Sequence, residues 1–286
     1  MPTLGELCAR YGAAYLARYG DSIPREHRRV LRSLADCGTE RLGRVSYRCA
    51  QCEARHHTHA SCGDRHCPGC QTGHNAAWCE AQVEQLLPCE YHLVTFTMPS
   101  ELRRFVRSWQ RVCYGALFAA AAHALRTALS NLKFCGAEVL GFTAVLHTFG
   151  RDLNYHPHVH VIIAGGGLRD GEWCSTRPGF LAPVKVLSKL FRAEFERLLR
   201  AQLPADTLPP AREFRREFVC DVQSVGNGVS TLKYLSRYVF RTAITNHRII
   251  GLHNDAAVRG NDAAVRGKDA AVRGSPDQCC KRLGVA

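Results

Sequence analysis

The stretch His156-Pro157-His158-Val159-His160-Val161-Ile162-Ile163-Ala164 decides how the chain reads. Its β-branched run predicts a strand from His158 to Ala164, ended by Gly165-Gly166-Gly167. Alternate residues of a strand share a face, so His158 and His160 stand side by side while Val159 turns to the opposite, buried face. Two such imidazoles are half of a divalent-metal site, although a surface pair or a satisfied core pair has the same pattern. Working outward, Glu138–Phe149 reads as a second strand across the polar loop Gly150–Tyr155, and His92–Met98 as another, bounded by Pro99. Ser100 is placed to cap a helical run from Glu101 to about Asn131. Val186–Leu203 carries Leu187, Leu190, Phe191, Phe195, Leu198 and Leu199 on one helical face. Phe218–Val225 follows as a strand, then the turn Gly226-Asn227-Gly228 and a helix from Ser230 to about Thr242. The expected fold class is α+β, with an antiparallel sheet and packed helices.

The chain has 286 residues, 46% hydrophobic and 22% charged, enough for about two domains and too apolar for disorder as its main state. Thirty-eight Lys and Arg against twenty-five Asp and Glu leave a formal charge of +13, which attracts polyanions. Met1–Gly20 holds Glu6, Arg10 and Arg18 and no apolar core segment, so a reducing cytoplasm is expected. Val112–Leu125, stopped by His123 and Arg126, falls short of the roughly 20 residues of a membrane span.

Cysteines concentrate after two amphipathic helices expected at Leu4–Leu16 and Pro24–Leu34. Cys49-x-x-Cys52 and Cys67-x-x-Cys70 form two knuckles, the second turned by Pro68-Gly69, and tetrahedral zinc takes this arrangement. Cys62, His59 and His66 are alternatives for one ligand. Such closed thiolate sites build a lobe rather than catalyse, with Arg44, Arg48, Arg55 and Arg65 available for phosphate. On a helix, Tyr234 and Tyr238 lie four apart on one face; that spacing suits core packing, and it also suits two nucleophiles once a metal polarises a phosphodiester.

His158-Val159-His160 matches the motif of the HUH endonuclease superfamily. Together with Ser61–Gln71, the strand Thr95–Pro99 and Tyr234-Leu235-Ser236-Arg237-Tyr238 followed by Arg241 and Arg248-Ile249, residues 1 to 252 resemble the two-tyrosine transposases of the insertion-sequence-ninety-one and common-region elements, which move by rolling-circle transposition. The resemblance implies that His158 and His160 hold Mg²⁺ or Mn²⁺ against single-stranded DNA, with His156, Asn154 or His147 as third ligand. It implies that Tyr234 or Tyr238 attacks to give a 5′-phosphotyrosine, and that Arg65, Arg237, Arg241 and Arg248 contact DNA. No Walker-type phosphate loop is present, so a helicase would come from the host.

The expected organisation is a helical and zinc-binding domain at 1–88, an HUH catalytic domain at 89–252 and a tail at 253–286. That tail holds three near-identical heptads, Asn254–Gly260, Asn261–Gly267 and Lys268–Gly274, too poor in bulky apolar residues to pack and so expected to be disordered. Because the resemblance implies a longer catalytic segment after Arg248-Ile249, a shortened or frameshifted copy is expected. The competing function is a catalytically inactive, zinc-stabilised DNA-binding remnant or repressor.

Overall fold

The computed structural model describes residues 2–150, 152–237, 239, 244–253 and 256–259. It divides the chain into two compact units, Met1–Ala77 with Phe240–Ala286, and Trp78–Val239. The division falls some way before the residue-88 boundary read from sequence, because the Trp78–Glu84 end of a helix packs its apolar side with the second unit's residues.

The first unit opens with helices α1 (Leu4–Tyr19) and α2 (Arg25–Asp36). Thr3 starts α1 with a capping box: its hydroxyl accepts from the Glu6 amide, while the Glu6 carboxylate accepts from the Thr3 amide. A hairpin follows, β1 (Arg44–Arg48) against β2 (Arg55–His59), with Cys49 and Cys52 in its connecting loop. Helix α3 (Pro68–Glu84) begins at the last cysteine knuckle.

The second unit is built on a four-stranded antiparallel sheet. Strand β3 (Tyr91–Thr97) leads through a single 3-10 turn into α4 (Arg103–Ser108) and α5 (Gln110–Leu129). The long helix expected from Glu101 is thus broken, at Trp109, whose φ of −117° and ψ of 41° leave the helical region. Strands β4 (Phe142–Phe149) and β5 (Tyr155–Ala164) form the expected hairpin, followed by the small ribbon β6 (Gly166–Arg169) and β7 (Glu172–Ser175). Then come α6 (Val184–Gln202), the single turn α7 (Ala211–Phe214), β8 (Val219–Ser224) and α8 (Val229–Ser236). Strand order is β4-β5-β3-β8, so the histidine-bearing β5 is interior, bonded to β3 and β4.

The two faces of the sheet differ by parity. Val94 and Phe96 of β3 and Val159, Val161 and Ile163 of β5 are buried on one face with Leu117, Leu125 and Leu129 of α5 and Leu187, Phe191, Phe195 and Leu199 of α6. Phe96 and Phe191 meet with ring centroids 4.9 Å apart. Helix α5 is long and apolar enough to cross a membrane by length and composition, but it owes that composition to this core, in which its buried face packs. The other face carries the histidines. At one end of it Leu232 of α8 packs with Tyr91 and Ile162, residues of the histidine parity, so α8 lies on the histidine side.

The chain ends its described portion with β9 (Ile249–His253) paired antiparallel to β10 (Ala256–Arg259). The first heptad is therefore partly a strand rather than disordered tail: backbone pairing asks nothing of small side chains, and Val258 and Ala257 tolerate extended geometry. The later heptads lie outside the described residues.

Candidate metal centres

Four thiols gather in the first unit. The sulfurs of Cys37, Cys62, Cys67 and Cys70 all lie within 4.8 Å of one another, and the Cys37–Cys70, Cys62–Cys70 and Cys67–Cys37 pairs are 3.5 Å apart. Four sulfurs about 2.3 Å from a tetrahedral zinc stand roughly 3.8 Å apart, so the donor set and spacing fit that ion. Cys67 and Cys70 are where the knuckle reading put them, and Cys62 enters as the substitute weighed for one position. Cys49 and Cys52 are not brought in: they belong to the turn at the end of the β1–β2 hairpin, closed by Cys49 N–H to Ala54 and Glu53 N–H to Cys49, with Glu53 at φ 56°. Their place is taken by Cys37, just past the end of α2, whose sulfur also accepts from the Cys62 amide at 3.4 Å. His66 is likewise outside the group. Its amide donates to Asp64 Oδ1 at 2.9 Å, and its side chain lines the apolar groove between α1 and α2.

Burial pushes the Cys62 and Cys67 thiols up, Cys67 to about 11, whereas Cys70 is held below the ordinary thiol value by hydrogen bonds from Cys37, Cys62 and Cys67 that outweigh its own burial. Such a set cannot ionise together without a cation among them. Asp64 braces the loop that carries three of the sulfurs. Its carboxylate, with a side chain 3% exposed, accepts from Arg29 at 3.1 Å, and Gln71 Nε2 donates to its carbonyl at 3.3 Å.

Three imidazoles gather on the sheet of the second unit. Strand pairing sets His147 of β4 opposite His158, and Thr95 of β3 opposite His160, so all four residues share one face. The ligand atoms of His147, His158 and His160 lie within 4.8 Å of one another, and the two Nε2 atoms of His158 and His160 are 3.1 Å apart. Two adjacent ligands about 2.1 Å from a common ion stand roughly 3 Å apart, which matches. His158 Nδ1–H donates to the His156 carbonyl at 2.7 Å, leaving Nε2 with its lone pair turned inward. The Thr95 hydroxyl sits 2.9 Å from His160 Nδ1 and can accept its proton, orienting the second Nε2 in the same way. Burial holds His147 down at about 3 and His160 at about 2, and it lowers His158 too, so the cluster is neutral and ready to ligate at ordinary pH.

His147, one of three alternatives for the third ligand, is the one brought to the pair. His156 is not: its Nδ1 is engaged by the guanidinium of Arg103. Asn154 is turned into its own loop, where Nδ2 donates to Asp152. Pro157 has no N–H to give and lies opposite a register shift between His147 and Phe149 of β4. His156 keeps the parity of His158, its ring centroid 5.2 Å from that of His158, but its Nδ1 is taken by Arg103.

Tyr234 is on α8 and 37% exposed; Tyr238 lies outside the described residues. Of the arginines expected at DNA, Arg65 and Arg237 are exposed and Arg248 is half-buried, while Arg241 lies outside the described residues. Arg103 and Cys37 were not singled out from sequence, and Thr95 entered only as part of the strand Thr95–Pro99, without a role at the site. Only strand register could have found that role, because threonine in a strand carries no signal of its own.

The fold and its two clusters define a zinc-binding type of α+β protein in which a four-thiol unit precedes a histidine-bearing antiparallel sheet. A family described as "Transposase zinc-binding domain" matches residues 7–98, and one described as "Putative transposase" matches residues 141–268. The protein named "Putative transposase y4qJ" of Sinorhizobium fredii is 38% identical over 278 residues, covering 90% of this chain and 69% of that protein. The "Transposase for insertion sequence element IS801" of Pseudomonas savastanoi pv. phaseolicola is 30% identical over 265 residues, covering 86% of this chain and 62% of its own length. No solved structure matches. The chain belongs to the insertion-sequence-ninety-one family of transposases, with the family's zinc-binding domain at its N-terminal end. Its partner is accordingly DNA.

Proposed function

We propose that the chain is a metal-dependent single-stranded DNA endonuclease and strand transferase that uses tyrosine nucleophiles in rolling-circle transposition. The observation that carries this reading is the convergence of His147, His158 and His160 on the sheet face that also receives α8, the helix of Tyr234. A divalent ion held there would polarise the scissile phosphate. The three imidazoles would hold it, with Thr95 and the His156 carbonyl keeping two of them in the ligating tautomer. Arg103, engaged with His156 at the edge of the cluster, would place a fixed positive charge beside the phosphate. Tyr234 or Tyr238 would form the bond from its phenolic oxygen to phosphorus as the bond to the 3′ oxygen breaks. The 5′ end is then held as a phosphotyrosine, and the 3′ oxygen leaves as a hydroxyl. The second tyrosine would serve the other cleavage, strand displacement falling to a host helicase.

An all-nitrogen donor set suits Mn²⁺ better than Mg²⁺, which prefers oxygen ligands. The zinc of the first unit we assign to Cys37, Cys62, Cys67 and Cys70. The test is the covalent adduct between the full chain and single-stranded DNA carrying the element's end. It should form with Mn²⁺, more weakly with Mg²⁺, and vanish in the Y234F/Y238F variant. An adduct that survives both substitutions would refute the nucleophile assignment. DNA retention without any adduct under any metal would favour the inactive remnant.

A further inference from the structure

Helix α2 carries Arg25, Arg28, Arg29 and Arg32, spaced so that they fall on one helical face, opposite the Val30, Leu31 and Leu34 side that faces α1. The four arginines line a cavity of about 640 Å³ that is closed on its far side by Ser61 and Cys62 of the thiol loop. We infer that this groove, wholly within the first unit, grips the sugar-phosphate backbone of duplex DNA.

Two of the arginines are held in place before any ligand arrives. Arg28 donates through Nε to the Ile23 carbonyl at 3.1 Å and through Nη2 to the Gly20 carbonyl. Arg29 is fixed by Asp64 at 3.1 Å and still keeps a side chain 66% exposed. The remaining two, Arg25 and Arg32, are exposed. The one acidic residue of the lining, Asp36, is paired with Arg41 at 3.0 Å, so the groove keeps its positive sign. From Arg25 to Arg32 the helix rises about 10 Å, the axial span of roughly four successive phosphates on one strand of a duplex. The lining has no aromatic ring on which an unpaired base could stack, and stacking is what single-strand grooves rely on. A duplex backbone is therefore the occupant that the chemistry selects. Because Asp64 links Arg29 to the loop of Cys62, Cys67 and Cys70, the metal in that loop also sets the geometry of the grip.

The inference rests on the transposase reading for its partner, and its test is independent of cleavage. Fluorescence anisotropy of a labelled mixed-sequence duplex of about 30 base pairs, a length that spans roughly three helical turns, is read with the full chain across a salt series. For R25A/R32A the slope of log K against log salt should fall by about 1.8, and affinity near 0.1 M salt by at least about tenfold. Zinc content and melting temperature should stay unchanged. R25K/R32K should recover most of the binding. K185A/K189A, which removes the same charge from exposed positions on α6, should lose much less. If the double variant loses zinc, R25Q alone gives the answer through a slope change of about 0.9. Equal losses from the α2 and α6 pairs, no loss from R25A/R32A, or a larger R25A/R32A loss on single-stranded DNA or RNA than on duplex would each overturn the groove. Adduct formation on single-stranded DNA at saturating protein is scored in the same samples. Its absence from the wild type while duplex binding persists would count against the nuclease alone.

Discussion

Thr95 owes its importance to a neighbour. Its hydroxyl at 2.9 Å from His160 Nδ1 decides which ring nitrogen of that histidine faces the cluster. Replacing it by valine keeps the shape and the strand propensity while removing the acceptor, so T95V should fold normally and bind Mn²⁺ about 10–100-fold more weakly. Calorimetric titration of the metal into the full chain measures this, and an unchanged affinity would show that packing alone orients the ring. The same titration separates the third-ligand candidates: H147A should lose far more affinity than H156A, since His147 points into the cluster and His156 is turned to Arg103. The legibility of these residues follows from how each is specified. His158 and His160 were readable because two neighbours on one strand share a face by parity alone. His147 could be named but not chosen, because its approach depends on how β4 registers against β5 across a bulge. Thr95 depends on a pairing some 65 residues distant in sequence.

Elements were read well wherever a single period governed them and less well where a local exception intervened. The amphipathic α6 and the β-branched β5 emerge close to where periodicity places them. The long helix after Ser100 is broken at Trp109 by its own backbone angles, which apolar spacing does not reveal. The gathered thiols include Cys67 and Cys70 of the second knuckle but neither cysteine of the first, for a similar reason. Spacing identifies turns able to present sulfur, and Cys49-x-x-Cys52 is such a turn, but which turns meet is decided by the hairpin and by the end of α2. The outcome for metal content follows. C37S should lower bound zinc and the melting temperature together, because it removes one of four ligands from a closed site whose binding energy is folding energy. C49S/C52S should retain the zinc held by the Cys37 group, as measured by elemental analysis of the purified chain. Retention in C37S with loss in C49S/C52S would reverse the assignment.

Across the whole molecule, the histidine cluster ties stability to acidity. In the fold His147 and His160 are held at about 3 and 2 by burial, whereas an unfolded chain titrates them near about 6.5. As pH falls below that value the unfolded state takes up protons that the fold refuses. Metal-free stability is therefore full above about 6.5 and declines through the window down to about 3, by up to about 1.4 kcal/mol per pH unit for each group. Urea midpoints of the metal-free chain should fall between pH of about 7 and about 5, and H147Q should flatten that decline; a midpoint rising toward acid would contradict the assignment. The two-faced construction of β5 has one more consequence. Its histidines face one way and Val159, Val161 and Ile163 the other, so sliding the strand by a single residue would bury imidazoles among α5 and α6 and turn the aliphatic row outward. An interior strand with such opposed chemistries excludes every slip by an odd number of residues. Chains slipped by one residue are penalised during folding, and the gathering of the three histidines comes with the native pairing rather than as a later refinement.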